Sequence, residues 1–223
     1  MDNSKKIILD LCGGTGAWSR PYVEAGYDVR VITLPDNDVR LWHNNKELVE
    51  LLETGKVYGI LAAPPCTMFS FARTNAKKDR DLIEGMECVR ACFNIIWHQQ
   101  EIAQNTTLKT TNLKFWALEN PYFGLLKNFI GKPAFVFDPW EFGDGYQKRT
   151  ALWGNFNEPK KNPIPLSDKM KKLAKTNSYL HTIKFDYLKS KNIHSEKFGE
   201  LDGQARRAIT PAGFAKAFFK ANQ

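Results

Sequence analysis

The chain has 223 residues, 43% hydrophobic and 25% charged, the profile of one soluble globular domain long enough to bury a sizeable core. No apolar run approaches membrane-spanning length, and Met1-Asp2-Asn3-Ser4-Lys5-Lys6 has no signal-peptide stretch behind it, so a cytoplasmic protein with no membrane partner is expected. A formal charge of +8 and a pI of about 9.2 favour a polyanionic partner such as nucleic acid.

Lys6-Ile7-Ile8-Leu9-Asp10-Leu11-Cys12 reads as a first buried strand that runs into Gly13-Gly14-Thr15-Gly16. A helix is predicted over 17–24, closed by Gly26. Strand, glycine-rich turn and helix together suit a nucleotide-like or anionic ligand, because glycines let the backbone approach closely and a helix start offers N–H groups. The spacing fits neither the dinucleotide fingerprint nor the P-loop. Residues 27–34 alternate as strand two, and residues 35–39 form a turn that contains Asp36, Asp38 and Val39. A helix follows over 45–54.

Val57-Tyr58-Gly59-Ile60-Leu61-Ala62 is the next strand, and it leads into Ala63-Pro64-Pro65-Cys66. The spacing puts Cys66 just past the carboxyl end of a buried strand, the edge where open α/β sheets keep their chemistry. The prolines stiffen the loop that presents the thiol, a nucleophile candidate. The other cysteines, 12, 88 and 92, form no CxxC pair, so neither a metal site nor a disulfide framework is suggested. Cys88 and Cys92, four apart in a helix predicted over 81–104, read as core packing, with Met86, Val89, Phe93 and Ile96 on the same face.

A polar loop is predicted over 103–112. Phe115-Trp116-Ala117-Leu118 reads as a strand that ends at Glu119-Asn120-Pro121, a second acidic group at a strand end braced by proline. A short helix over 125–129 and strands over 135–137 and 151–153 follow. Strands alternating with helices argue an α/β fold with a mostly parallel sheet. From 155 the composition turns to proline and lysine, with Lys169, Lys171 and Lys172 among the cations, either a solvated loop or a nucleic-acid-facing surface. The last helix is predicted over 204–221 with Phe214, Phe218 and Phe219 on its buried face.

Asp10-Leu-Cys-Gly-Gly-Thr-Gly16, Pro65-Cys66-x-x-Phe69-Ser70, Glu119-Asn120 and Gln147-x-Arg149 occur in that order. Together they resemble the C5-type cytosine methyltransferases, and most of all the short versions encoded by bacteriophages. There an Ala-Pro-Pro-Cys loop, Glu-Asn-Pro, a Lys-Arg-Thr-x-Leu-Trp segment and a terminal Thr-Pro-x-Gly-Phe-Ala helix recur. The resemblance implies a Rossmann-like methyltransferase fold with helices on both faces of the sheet. Residues 1–154 and 204–223 would be the catalytic domain, and 155–203 a small lysine-rich insertion serving as a reduced target-recognition segment.

The resemblance also implies S-adenosylmethionine as cofactor and cytosine in DNA as substrate. Cys66 would attack C6, Glu119 would assist at N3, Arg149 would help hold the pyrimidine O2, and Asn120 would fix the Pro-Cys loop. The cofactor would lie over Asp10, Cys12, Gly13, Gly14 and Gly16, with Asp36, Asp38, Val39 and Pro64 around it. Ser70, Gln147, Lys169, Lys171 and Lys172 would face the nucleic acid.

Four features depart from the family, one of them Thr210-Pro211 where a Gly-Asn dipeptide is usual near the C-terminal helix. Leu34 stands where an acidic residue would meet the ribose, with Asp36 as a substitute; Ala151 replaces a second arginine; and Cys12 replaces a phenylalanine. Two alternatives remain open: the same chemistry on RNA or a free cytosine nucleotide, and a relative that binds nucleic acid without turnover.

Overall fold

Strands β1 (Ile7–Leu11), β2 (Asp28–Ile32), β3 (Val57–Ala62), β4 (Phe115–Pro121), β5 (Phe135–Phe137) and β6 (Thr150–Asn155) pair into one sheet in the order β2-β1-β3-β4-β6-β5. They come from a computed structural model that describes residues 2–72, 79–105, 113–144, 146–163, 168, 201 and 203–223. β1 pairs in parallel with β2 and β3, and β3 in parallel with β4. β6 runs antiparallel to both β4 and β5. The fold is thus mixed α/β with a mostly parallel sheet, and the reversed β6 is what the sequence pattern left unspecified.

The helices are α1 (Arg20–Glu24), α2 (Lys46–Glu53), α3 (Leu82–Asn105), α4 (Lys127–Ile130), α5 (Gly203–Ala208) and α6 (Ala212–Ala221), with 3-10 turns at Val39–Asn44 and Pro139–Phe142. Alternate strand residues point to opposite faces, and two separate cores result. Ile7, Leu9 and Leu11 of β1 pack with Leu48 and Leu52 of α2 and with Val89, Cys92 and Ile96 of α3. Ile8 of β1 and Leu61 of β3 pack with Trp18, with Tyr22 of α1, and with Phe214 and Phe218 of α6. Helices therefore cover both faces. No helix among the described residues is long and apolar enough to cross a membrane.

Several element ends differ from the predicted ones. The helix expected from residue 17 begins at Arg20, with Pro21 in its first turn, where the missing N–H costs nothing. Val39, expected in a turn, starts a 3-10 turn and is 3% exposed. β4 does not stop at Leu118. β6 pairs Glu119 with Leu152 and Asn120 with Ala151, which extends β4 to Pro121. The single helix expected over 204–221 is two, because Pro211 has no N–H to continue α5 into α6. Phe214 and Phe218 are buried and Phe219 is partly so. Of the predicted polar loop, residues 106–112 lie outside the described residues, as do Lys169, Lys171, Lys172 and nearly all of 164–202.

Phe214 stacks on Phe137 with centroids 3.9 Å apart and planes 14° from parallel, and it also meets Trp18 and Phe142. Such a ring joins α6 to the edge strand β5. Phe214→Ala is expected to cost about 3–5 kcal/mol of stability, read as a lower urea midpoint with an unchanged slope.

Candidate active site

β1 lies between β2 and β3, so the chain leaves β1 towards one neighbour and later returns on its other side. The strand order reverses there, and ligands of open α/β sheets bind outside the carboxyl ends of strands at such a point. Two loops meet this crevice: the glycine turn after β1 and the proline loop after β3.

Asp10 is fully buried in β1. Its Oδ2 accepts from the Ser19 hydroxyl at 2.5 Å, and its Oδ1 has no partner among the described residues. Burial pushes the carboxyl up to about 6, partly offset by the bonds from Ser19. A Cβ at Gly13 would overlap this carboxyl group, so only glycine lets the turn close over it. The Gly14 N–H donates to the Thr33 hydroxyl at 3.3 Å, which ties the turn to the end of β2. Cys12 sits at φ 56° and lends its sulfur to a hydrogen bond with buried Cys92, whose thiol is thereby held well above its usual range.

Past β2, a cleft of about 240 Å³ is lined by Ile32, Asp36, Asn37, Asp38, Leu41 and Trp42. Asp38 caps the following 3-10 turn through the Arg40 N–H and pairs with the Arg40 guanidinium at 2.5 Å. Its carboxylate is engaged, which leaves Asp36 as the exposed carboxylate of the cleft. Val39 is part of the core. Leu34 is 64% exposed at the end of β2.

The buried Asn120 of β4 donates from Nδ2 to the Pro64 carbonyl at 3.0 Å. That bond sets the proline loop against β4. The loop then turns: the Phe69 and Ser70 N–H groups both donate to the Cys66 carbonyl, at 3.0 and 2.8 Å. Ser70 makes a β-bridge with Gly124, and the Leu125 N–H donates to Phe69. The Arg80 guanidinium donates to the Met68 and Ser70 carbonyls and holds the far side of the loop. Cys66 is half-buried, next to the end of β4 that carries Glu119.

Burial raises the Cys66 thiol, and the Glu119 carboxylate raises it further; Lys148 and Arg207 pull it back. Burial also raises Glu119, opposed by Lys148. Arg149 Nη1 pairs with the buried Asp138 Oδ2 at 3.2 Å, and its guanidinium lies 5.8 Å from the Tyr122 ring centroid. Gln147 is half-buried one residue before Lys148. Position 151 is fully buried opposite Asn120 in the sheet, where an arginine side chain has no room. Among the described residues no cluster of three or more His, Cys, Asp or Glu side chains is set to hold a metal ion.

The structure therefore brings Cys66, Glu119 and Asn120 to one sheet edge and Asp10 with the glycine turn to the adjoining edge; the Arg149 guanidinium is turned to Asp138 and the Tyr122 ring, while Lys148 and Arg207 are the cations acting on Cys66. Sequence reasoning missed Lys148, Arg207, Arg80 and Asp138. Only Lys148 and Asp138 carried a usable signal, one beside Arg149 and the other in an Asp-Pro pair at a strand end. Neither a family model nor a curated protein matches the chain. What the fold and site define is an α/β protein with a thiol and a carboxyl group at one end of a mostly parallel sheet and a buried carboxylate under a glycine turn beside them.

Asp10 has a pH signature. Burial pushes its carboxyl up from the ordinary 3.8 to about 6, so the folded state favours the proton. The stability this provides is complete below pH 3.8 and is lost as pH rises through 6. Asp10→Asn should consequently gain on the wild type between pH 4 and 7 and hold a constant lead above that. Denaturant titrations of both proteins across this range check it; a pH-independent difference would place the ionisation elsewhere.

Proposed function

We propose that the protein is an S-adenosylmethionine-dependent methyltransferase that modifies C5 of cytosine in DNA through a covalent bond between Cys66 and C6. The observation that carries this reading is the meeting of two sites at the switch point of the sheet: the Asp10–Gly13 cradle after β1, and the Cys66 loop pinned by Asn120 beside Glu119. The mostly parallel sheet with helices on both faces is compatible with a Rossmann-like fold, which the resemblance in sequence implies.

The residues present fit the cofactor. Gly13 lets the turn close onto the buried Asp10 carboxylate, whose Oδ1 is unpaired among the described residues, and the Gly14 N–H donates to the Thr33 hydroxyl at 3.3 Å, so the turn is held at the crevice mouth. The cleft beyond β2 joins apolar Ile32, Leu41 and Trp42 to the exposed carboxylate of Asp36, a lining suited to a purine and its ribose hydroxyls. When bound, S-adenosylmethionine supplies an electrophilic methyl group.

Cytosine C5 is a weak nucleophile, and the protein's own residues change that. The Cys66 thiolate forms a bond to C6, and the electron pair of the C5–C6 double bond shifts towards C5 and the ring nitrogens. Protonated Glu119, favoured by its burial, donates to N3 as negative charge builds there. Lys148 and Arg207 stabilise the thiolate before attack. After C5 is methylated, its proton leaves, and the electrons of that C–H bond expel the Cys66 thiolate and restore the double bond. A base inside a duplex must leave the stack to meet these groups.

Two experiments test the reading. With cofactor and a DNA oligonucleotide that contains 5-fluorocytosine, the wild type should form a stable covalent adduct, since fluorine cannot leave as a proton does. Cys66→Ala should form none; an adduct with this variant sinks the assignment. Glu119→Gln should slow methyl transfer by roughly 10²-fold while cofactor affinity stays near that of the wild type. Normal turnover with a lower melting temperature would mark Glu119 as a structural group.

A further inference from the structure

The bridge between Ser70 and Gly124 is antiparallel, so the next residues, Phe71 and Phe123, stand directly opposite each other. The Phe71 N–H donates to the Phe123 carbonyl at 3.3 Å. Opposed residues of an antiparallel pair project to the same face, with Cβ atoms about 4.5–5.5 Å apart. Both rings are open to solvent, Phe71 at 44% and Phe123 at 41%. Two large exposed phenylalanines placed opposite each other on one face are uncommon unless something covers them.

Their position and their surroundings indicate what does. Phe71 follows Cys66 on the same loop, and Phe123 follows Glu119 beyond β4, so the pair forms a ledge at the junction of the two reactive segments. The ledge is bordered by cations held against aromatic rings or backbone. Tyr122 lies 5.3 Å from Phe123, with Lys127 Nζ 4.5 Å from its centroid and the Arg149 guanidinium 5.8 Å away. Arg80 is fixed on the Ser70 carbonyl at 3.1 Å. Flat apolar faces next to positive charge match the bases and phosphates of an unpaired strand. A closed duplex offers no base faces to such a ledge, and a free nucleotide has no neighbouring base to place on it.

We propose that Phe71 and Phe123 stack the bases that flank the target cytosine, which makes single-stranded or locally opened DNA the preferred substrate over closed duplex and free nucleotide. The inference rests on the methyltransferase reading for the position of the target base; the stacking itself needs no turnover. A labelled, unstructured single-stranded oligonucleotide with one cytosine, titrated by fluorescence anisotropy, provides the test. A duplex of the same sequence and unlabelled dCMP serve as competitors.

The single strand should compete best. Phe71→Ala and Phe123→Ala should each weaken binding by roughly tenfold, with melting temperatures near that of the wild type because both rings are exposed. The pair Phe71→Leu and Phe123→Leu, apolar without a π-face, should weaken it as well. Abasic sites on both sides of the cytosine should abolish the difference between wild type and alanine variants. Wild-type affinity in the alanine variants overturns the inference, as does full retention by the leucine pair, which would mark the ledge as a plain apolar contact for a protein. Tighter binding of duplex or of dCMP overturns it too. Trapping by 5-fluorocytosine with unmodified protein reads the chemistry separately: an adduct without a stacking effect removes this inference alone, and stacking without an adduct removes the methyltransferase reading.

Discussion

The hydrogen bond from the Asn120 amide to the Pro64 carbonyl joins the two strand ends on which the site depends. Asn120 is 1% exposed, and a buried carbonyl left without a donor costs about 1–3 kcal/mol. Pro65 offers no N–H of its own, so this loop cannot pair with its neighbours as a strand would. A side-chain donor from β4 takes over that task. The antiparallel β6 makes it possible, because its pairing with Asn120 and Pro121 keeps β4 extended past the point where β3 has ended. From there the turn at Cys66, the Ser70 bridge and the Arg80 contacts follow as local consequences.

Electrostatics in this corner set which group carries the proton. Glu119 pushes the Cys66 thiol up, and burial pushes Glu119 itself up. The pair resists holding two negative charges. A proton on Glu119 removes its push on Cys66 and leaves Lys148 and Arg207 to favour the thiolate. Under the proposed chemistry, one thiolate and one neutral carboxylic acid is the arrangement that a nucleophile beside a hydrogen-bond donor requires. It arises from placing one acid and two bases unequally around one thiol rather than from any single strong contact.

Much of this was legible in the chain. The alternation in residues 7–12 and 57–62, the glycines after one strand and the prolines after the other gave the class of fold and both edges of the crevice. What stayed hidden was long-range pairing. The direction of β6 is decided by its partners β4 and β5, not by its own residues, and the extra length of β4 comes from β6. Leu152, Ala151 and Thr150 are apolar or β-branched and suit either direction. The Phe71–Phe123 ledge was hidden for the same reason: each phenylalanine looks like a core candidate until the Ser70–Gly124 bridge sets them on an exposed face. Cations such as Arg207, on α5, acquire meaning only when tertiary structure brings them to Cys66.

The terminal Thr210-Pro211-x-Gly213-Phe214-Ala215 motif is remote from Cys66 in sequence, and packing explains how it still bears on the site. A Cβ at Gly213 would overlap the Phe142 carbonyl oxygen, so glycine allows α6 to lie directly on the 3-10 turn Pro139–Phe142. The buried Asp144 carboxylate then accepts from the Gly213 N–H at 2.9 Å and holds the start of the helix. At the other end of that turn Asp138 forms a capping box with Glu141, and the same Asp138 pairs with Arg149. The position of α6 is thereby passed through one short turn to the Arg149 guanidinium. A larger residue at 213 would displace the turn, and with it the carboxylate that pairs with Arg149, without touching Cys66 or Glu119.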